Sequence, residues 1–90
     1  MRTYHATLMH GNRNSEGRYA FEGPELLAQA SPVRIMRAFM EHLDRTAHVG
    51  HIDYEINAAM KNKDVGVVTV MGELQFENHS AQPFVCMIEL

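Results

Sequence analysis

Cysteine is almost missing from this chain. Cys86 stands alone among ninety residues, so no intramolecular disulfide framework can staple the fold, and a single thiol suits a reducing compartment. Positive charge is also in short supply. Eight Lys and Arg against eleven Asp and Glu leave a net charge of −3, which lacks the clustered positive field that binding along a phosphate backbone requires. The same −3 is too small for an extended nucleic-acid mimic. Long apolar runs are absent too: nothing approaches the ~20 residues of a membrane span. The opening MRTYHATLMHG offers no apolar segment long enough for a signal h-region. No repeat, linker or low-complexity stretch interrupts the sequence. These absences point to one cytoplasmic domain over residues 1–90, with neither nucleic acid nor membrane as a partner.

What is present is a good supply of core. Hydrophobic residues make up 46% of the chain, enough to pack a small domain and to exclude wholesale disorder. RTYHATLMH (2–10) alternates with Tyr4, Ala6 and Leu8 on one face. A turn-forming GNRNSEG follows, and RYAFE alternates again, which together read as a β-hairpin. Gly23-Pro24 ends it, and PELLAQA supplies one or two helical turns.

Ser31-Pro32 pairs a capping hydroxyl with a proline suited to the first helical position. Beyond it, Val33, Ile35, Met36, Phe39, Met40, Leu43 and Ala47 fall within an arc of about 160° at helical spacing. Arg34, Arg37, Glu41, Asp44, Arg45 and His48 take the opposite side, with Arg37–Glu41 and Glu41–Arg45 spaced for weak pairing. Gly50 is placed to end the helix in a left-handed turn.

HIDYEINAAM (51–60) is a strand, with Ile52, Tyr54, Ile56, Ala58 and Met60 predicted inward and Ala59 outward. VGVVTVMGELQFE (65–77) alternates with Val68, Val70, Leu74 and Phe76 inward, and FVCMIEL closes with Phe84, Cys86, Ile88 and Leu90 inward. A loop at Asn62–Asp64 would set Ala58 against Val68, Tyr54 against Gly72, and Asp53 against Glu73. The order is β-β-α-β-β-β. One helix can cover one side of a five-stranded, mainly antiparallel sheet, so the fold class is α+β, a two-layer sandwich. The place of the first hairpin relative to the last three strands is left open.

The uncovered sheet face is the candidate site. A face left in water should be uniformly polar. Here Ala59, Val65, Val67, Met71, Val85 and Met87 form an apolar middle bordered by Asp53, Glu55, Glu73, Glu77 and Glu89. β-propensity alone selects valine, and isolated exposed apolar residues are ordinary, but six in a cluster exceed scatter. An apolar centre inside a charged border is the layout of a protein interface, and methionine adapts well to a partner. The partner-binding candidates are Asp53, Glu55, Val67, Met71, Glu73, Val85 and Met87. The simplest partner is a second copy across a two-fold axis. Asp53 opposite Glu73 would oppose like charges, to be relieved by a bulge near Gly72, by solvent screening, or by a cation or basic partner group lying over the pair.

The chemistry-bearing residues form no recognised constellation. The six histidines lack the spacing of a structural zinc site, and cysteine, its usual ligand, is limited to Cys86, predicted inward. Ser31 reads as a cap and Ser15 and Ser80 as turn residues, so no nucleophile sits beside a base. No phosphate-cradling glycine motif occurs. The reading is therefore a small non-catalytic interaction protein that uses no cofactor. Its size is of a kind common among regulators, subunits and accessory or inhibitor proteins of bacteria and phages. The competing reading is a small-ligand or metal-binding domain, enzymatic in its strongest form, built on Asp53, Glu73, His48 and His51.

Overall fold

The computed structural model describes residues 1–11, 15–46 and 50–90. Five strands run Arg2–His10 (β1), Ser15–Gly23 (β2), Ile52–Asn62 (β3), Val67–Phe76 (β4) and Gln82–Glu89 (β5). A 3₁₀ turn spans Glu25–Gln29 and one helix, α1, spans Pro32–Thr46. All pairings are antiparallel, in the order β2-β1-β5-β4-β3. The first hairpin thus joins the last three strands through β1 and β5, which puts the chain's final strand in the centre. Because β2 and β3 are the two edges, the segment between them must cross the whole sheet. That crossing is α1, and it makes the fold a two-layer α+β sandwich.

The helix starts where Ser31 Oγ accepts the Arg34 amide (3.3 Å), with Pro32 as its first residue. It buries Ile35, Met36, Phe39, Met40 and Leu43. At about 1.5–3 kcal/mol for each fully buried side chain, this stripe outweighs any pairing on the solvent side of the helix, where i,i+4 pairs reach ~0.5 kcal/mol. Neither Arg37–Glu41 nor Glu41–Arg45 forms an ion pair among the described residues. Val33, predicted within the apolar arc, lies on the first turn and stays exposed. Ala47 and His48 fall outside the described residues. The helix packs on Tyr4, Leu8, Phe21, Ile52, Val68, Val70, Leu74, Phe84, Cys86 and Ile88, all buried. Tyr4 also ties the 3₁₀ turn down, its hydroxyl donating to the Pro24 carbonyl (2.7 Å).

The β3–β4 register differs from the sequence expectation. Asn62 pairs with Val67 across a four-residue turn, stabilised by the Asn62 side chain accepting the Asp64 amide (3.0 Å) and by Gly66 at φ 67°. This longer loop shifts every partner. Tyr54 pairs with Leu74 and Ile56 with Gly72, while Asp53 meets Gln75 and Glu55 meets Glu73. A bulge between Ile56 and Ala58 then reverses the side-chain alternation. Ala58 and Met60, predicted inward, point to the open face; Ala59, predicted outward, packs against the core. Val65, predicted on the open face, lies in the turn before β4. The bulge also sends Lys61 to the helix side, where its ammonium donates to the carbonyls of Ala28 (2.6 Å) and Ala30 (3.2 Å). One extra residue in β3 therefore ties the last strand turn to the segment that precedes α1.

Candidate functional site: the open sheet face

The face away from α1 carries Asp53, Glu55, Val67, Met71, Glu73, Val85 and Met87, as expected from strand alternation. The strand pairings arrange it in rows across the sheet. One row runs Glu16, Met9, Val85, Met71, Ala58; the next runs Arg18, Thr7, Met87, Thr69, Met60. A third reads Ala20, His5, Glu89, Val67, Asn62, and at the other end Pro83, Glu73 and Glu55 align. Two central rows are thus apolar or threonine on four strands, with the charged ends Glu16 and Arg18 on β2. Four of the seven methionines of the chain, Met9, Met60, Met71 and Met87, lie in those two rows. Their outward direction follows from pairing, and the exposure agrees: 59% for Met60 and 38% for both Met71 and Met87.

Sequence reasoning missed Met9, Thr7, Ala58, Met60, Glu16 and Arg18 as members of this face. The first hairpin could not be placed beside β5 without the strand order, and the bulge hides Ala58 and Met60. Met9 did carry a signal, since it alternates with the inward Leu8. The cross-strand pair of like charges is Glu55–Glu73, not Asp53–Glu73. Both side chains are exposed to solvent, which screens them. The bulge follows directly after, so the opposition lasts for one pair only.

The residues of the competing reading are partly brought together: His51 and Asp53 are in contact, and Asp53 and Glu73 line one shallow depression of the open face. His51 Nε2 lies 2.8 Å from Asp53 Oδ1, and its Nδ1 lies 3.8 Å from Asp44 Oδ2. Each ring nitrogen thus faces a carboxylate, and Asp44 Oδ1 also accepts the Ile52 amide (3.3 Å). This arrangement fastens the end of α1 to the start of β3. His48 is outside the described residues, and Asp53 and Glu73 are not cross-strand partners. Among the described residues no three His, Cys, Asp or Glu side chains are grouped to hold a metal ion. Cys86 is fully buried on the helix side, and burial pushes its thiol from 9.0 up to about 12. A thiol so poorly ionised is a core filler, not a nucleophile.

Among the described residues, no helix is long and apolar enough to cross a membrane. Comparison of the chain with protein-family models, with curated proteins and with solved structures finds no match.

Proposed function

We propose that the protein is a non-catalytic interaction module that pairs with a second copy of itself through the open sheet face. The observation that carries this reading is the self-complementarity of the two central rows. Consider a two-fold axis lying in the interface, across the strands, between the Val85–Met71 row and the Met87–Thr69 row. Each row of one copy then meets the other row of its partner. Val85 packs on Met87, Met71 on Thr69, Ala58 on Met60 and Met9 on Thr7, while Glu16 meets Arg18 twice over. Outside these rows Glu73 meets Val67, Glu55 meets Asn62 and Glu89 meets Pro83, so like charges do not confront each other. Turning the copy about an axis along β5 instead stacks Glu89 on Glu89, a like-charge contact that counts against that arrangement.

The size of the face also suits a second copy. Five strands ~4.8 Å apart and about eight residues long, at ~3.4 Å each, cover roughly 650 Å² per copy. A pair buries roughly 1,300 Å², within the range of specific interfaces. Face-to-face sheets cross at about −30°, which displaces the corners more than the methionines near the axis. Those central side chains therefore carry the affinity, and the Glu16–Arg18 pairs set the register.

Light scattering during size-exclusion chromatography tests this directly. The wild-type chain elutes with twice the mass of one copy. Met71→Lys with Met87→Lys, which buries two charges per copy in the interface, elutes as a monomer with an unchanged circular-dichroism spectrum. A wild-type chain that stays monomeric up to millimolar concentration removes the reading.

A further inference from the structure

On the opposite side of the sheet, the last turn of α1 and the neighbouring strand ends border an open cleft. Here a cavity of about 540 Å³ is lined by Leu8, His10, Tyr19, Leu43, Ile52, Phe76, His79 and Gln82. Its volume lies in the range of small-molecule sites, and its walls are mainly apolar with a few polar groups among them. The polar groups are held in defined positions. His10 Nδ1–H donates to Gln82 Oε1 at 2.8 Å, and the His10 ring stands edge-on to Phe76 with centroids 5.2 Å apart. Gln82 Oε1 in turn occupies the space beside Gly11, where an added Cβ would come within 2.8 Å of it. With Nδ1 committed as a donor, Nε2 of the neutral ring is left as the acceptor. Tyr19 lies back over Gly17, whose missing side chain makes room for the Tyr19 hydroxyl (2.6 Å from the position of a Cβ). Among the described residues neither that hydroxyl nor His10 Nε2 has a hydrogen-bond partner.

We infer that this cavity binds a neutral, flat, apolar molecule bearing one hydroxyl or N–H donor, such as a phenol or an indole, with the donor directed to His10. The half-buried aromatic walls Phe76 and Tyr19 fit a flat ring system, with Leu8, Leu43 and Ile52 forming the buried floor beneath them. An anion is disfavoured, because the site adjoins the last turn of α1, the negative end of its dipole, and the Asp44 carboxylate that accepts the amide of the lining residue Ile52. The site lies on the covered side of the sheet, so it is independent of pairing through the open face.

The test is an amide NMR titration at pH 8 with β-naphthol, naphthalene and β-naphthoate as probes. β-Naphthol gives saturable shifts at Leu8, Tyr19, Leu43 and Phe76, and binds at least tenfold more tightly than either of the others. His10→Phe keeps an aromatic edge against Phe76 but removes the acceptor, so it brings β-naphthol down to the affinity of naphthalene. The inference is overturned by shifts that do not saturate or that centre on Met71 and Met87. It is equally overturned by β-naphthoate binding as well as β-naphthol, or by His10→Phe preserving the preference for the hydroxyl. Should His10→Phe fail to fold, the wild-type shift map and the ranking of the three probes decide the matter alone.

Discussion

Gly72 sits directly against the backbone carbonyl of Glu55, so close that a Cβ at position 72 would overlap the Glu55 oxygen. The approach is a product of the β3 bulge, which begins at the Ile56–Gly72 pair and brings the bulged strand down onto β4. The same Cβ would also press on the Phe84 ring at 3.1 Å. The glycine is therefore the partner that the bulge requires.

Gly72→Ala should accordingly destabilise the fold by roughly 2–4 kcal/mol, in the class of overpacking and backbone strain. Urea unfolding at neutral pH measures it. A loss under ~0.5 kcal/mol would mean that the strand pair relaxes freely and that the bulge is not held by this contact.

Lys61 offers a second check on the bulge, since only the reversed alternation brings its ammonium to Ala28 and Ala30. Lys61→Met keeps most of the aliphatic stem and removes both hydrogen bonds. The expected loss is about 1–2 kcal/mol, because the bonds are charge-assisted but half-exposed. Hydrogen exchange should quicken at the amides of the 3₁₀ turn before it does so in α1. Unchanged exchange there would show that Lys61 is not what holds this segment.

Much of this fold is legible locally. The α1 stripe announces itself by period, and Ser31-Pro32 marks its start. The alternation of Val68, Val70, Leu74, Phe84, Cys86 and Ile88 identifies the core side of β4 and β5 without help from tertiary structure. What local pattern misses is anything that depends on which strand lies beside which. Ala58, Ala59 and Met60 give an ambiguous alternation, and the residue that settles it, Gly72, belongs to another strand. The Tyr54–Gly72 pairing fails for the same reason, as the turn after Asn62 is longer than the three-residue loop assumed. The open face is partly readable, since Val67, Met71, Val85 and Met87 follow from period alone. Met9 and Arg18 join it only because β1 pairs with β5. The cavity is less readable still: His10, Tyr19, Phe76 and Gln82 come from four different strands, and no sequence spacing connects them.

Cys86 should be silent toward thiol reagents in the native state at pH 8 and react fully in urea, as burial and its suppressed ionisation demand. The sign of its pH effect follows. The folded chain keeps the thiol protonated to about 12, whereas the unfolded chain releases the proton near 9.0, so stability from this group is intact below 9.0 and declines from there toward 12. Cys86→Ala is less stable than wild type at pH 8 through the cavity it leaves, and that gap should narrow by roughly pH 11. A gap that is constant across this range contradicts the assignment.

The proposed pairing makes Glu16 and Arg18 intermolecular partners as well as neighbours in one strand (3.8 Å). Arg18→Glu sets an acidic side chain against Glu16 of the other copy at both contacts and should weaken dimerisation by about three- to tenfold, given ~0.2–1 kcal/mol for each exposed pair. Adding Glu16→Arg should restore the wild-type constant, as read by sedimentation equilibrium at low salt. Equal effects from the single and the double variant would place these residues outside the interface.

The most direct measurement is an isotope-filtered nuclear Overhauser experiment on a mixture of labelled and unlabelled chains, read at the methionine methyls. Pairing through the open face predicts intermolecular contacts from the Met87 methyl to the Val85 methyls and from the Met60 methyl to Ala58. Intermolecular contacts confined to Val33 or Leu26 on the helix side, or none at all, would contradict it.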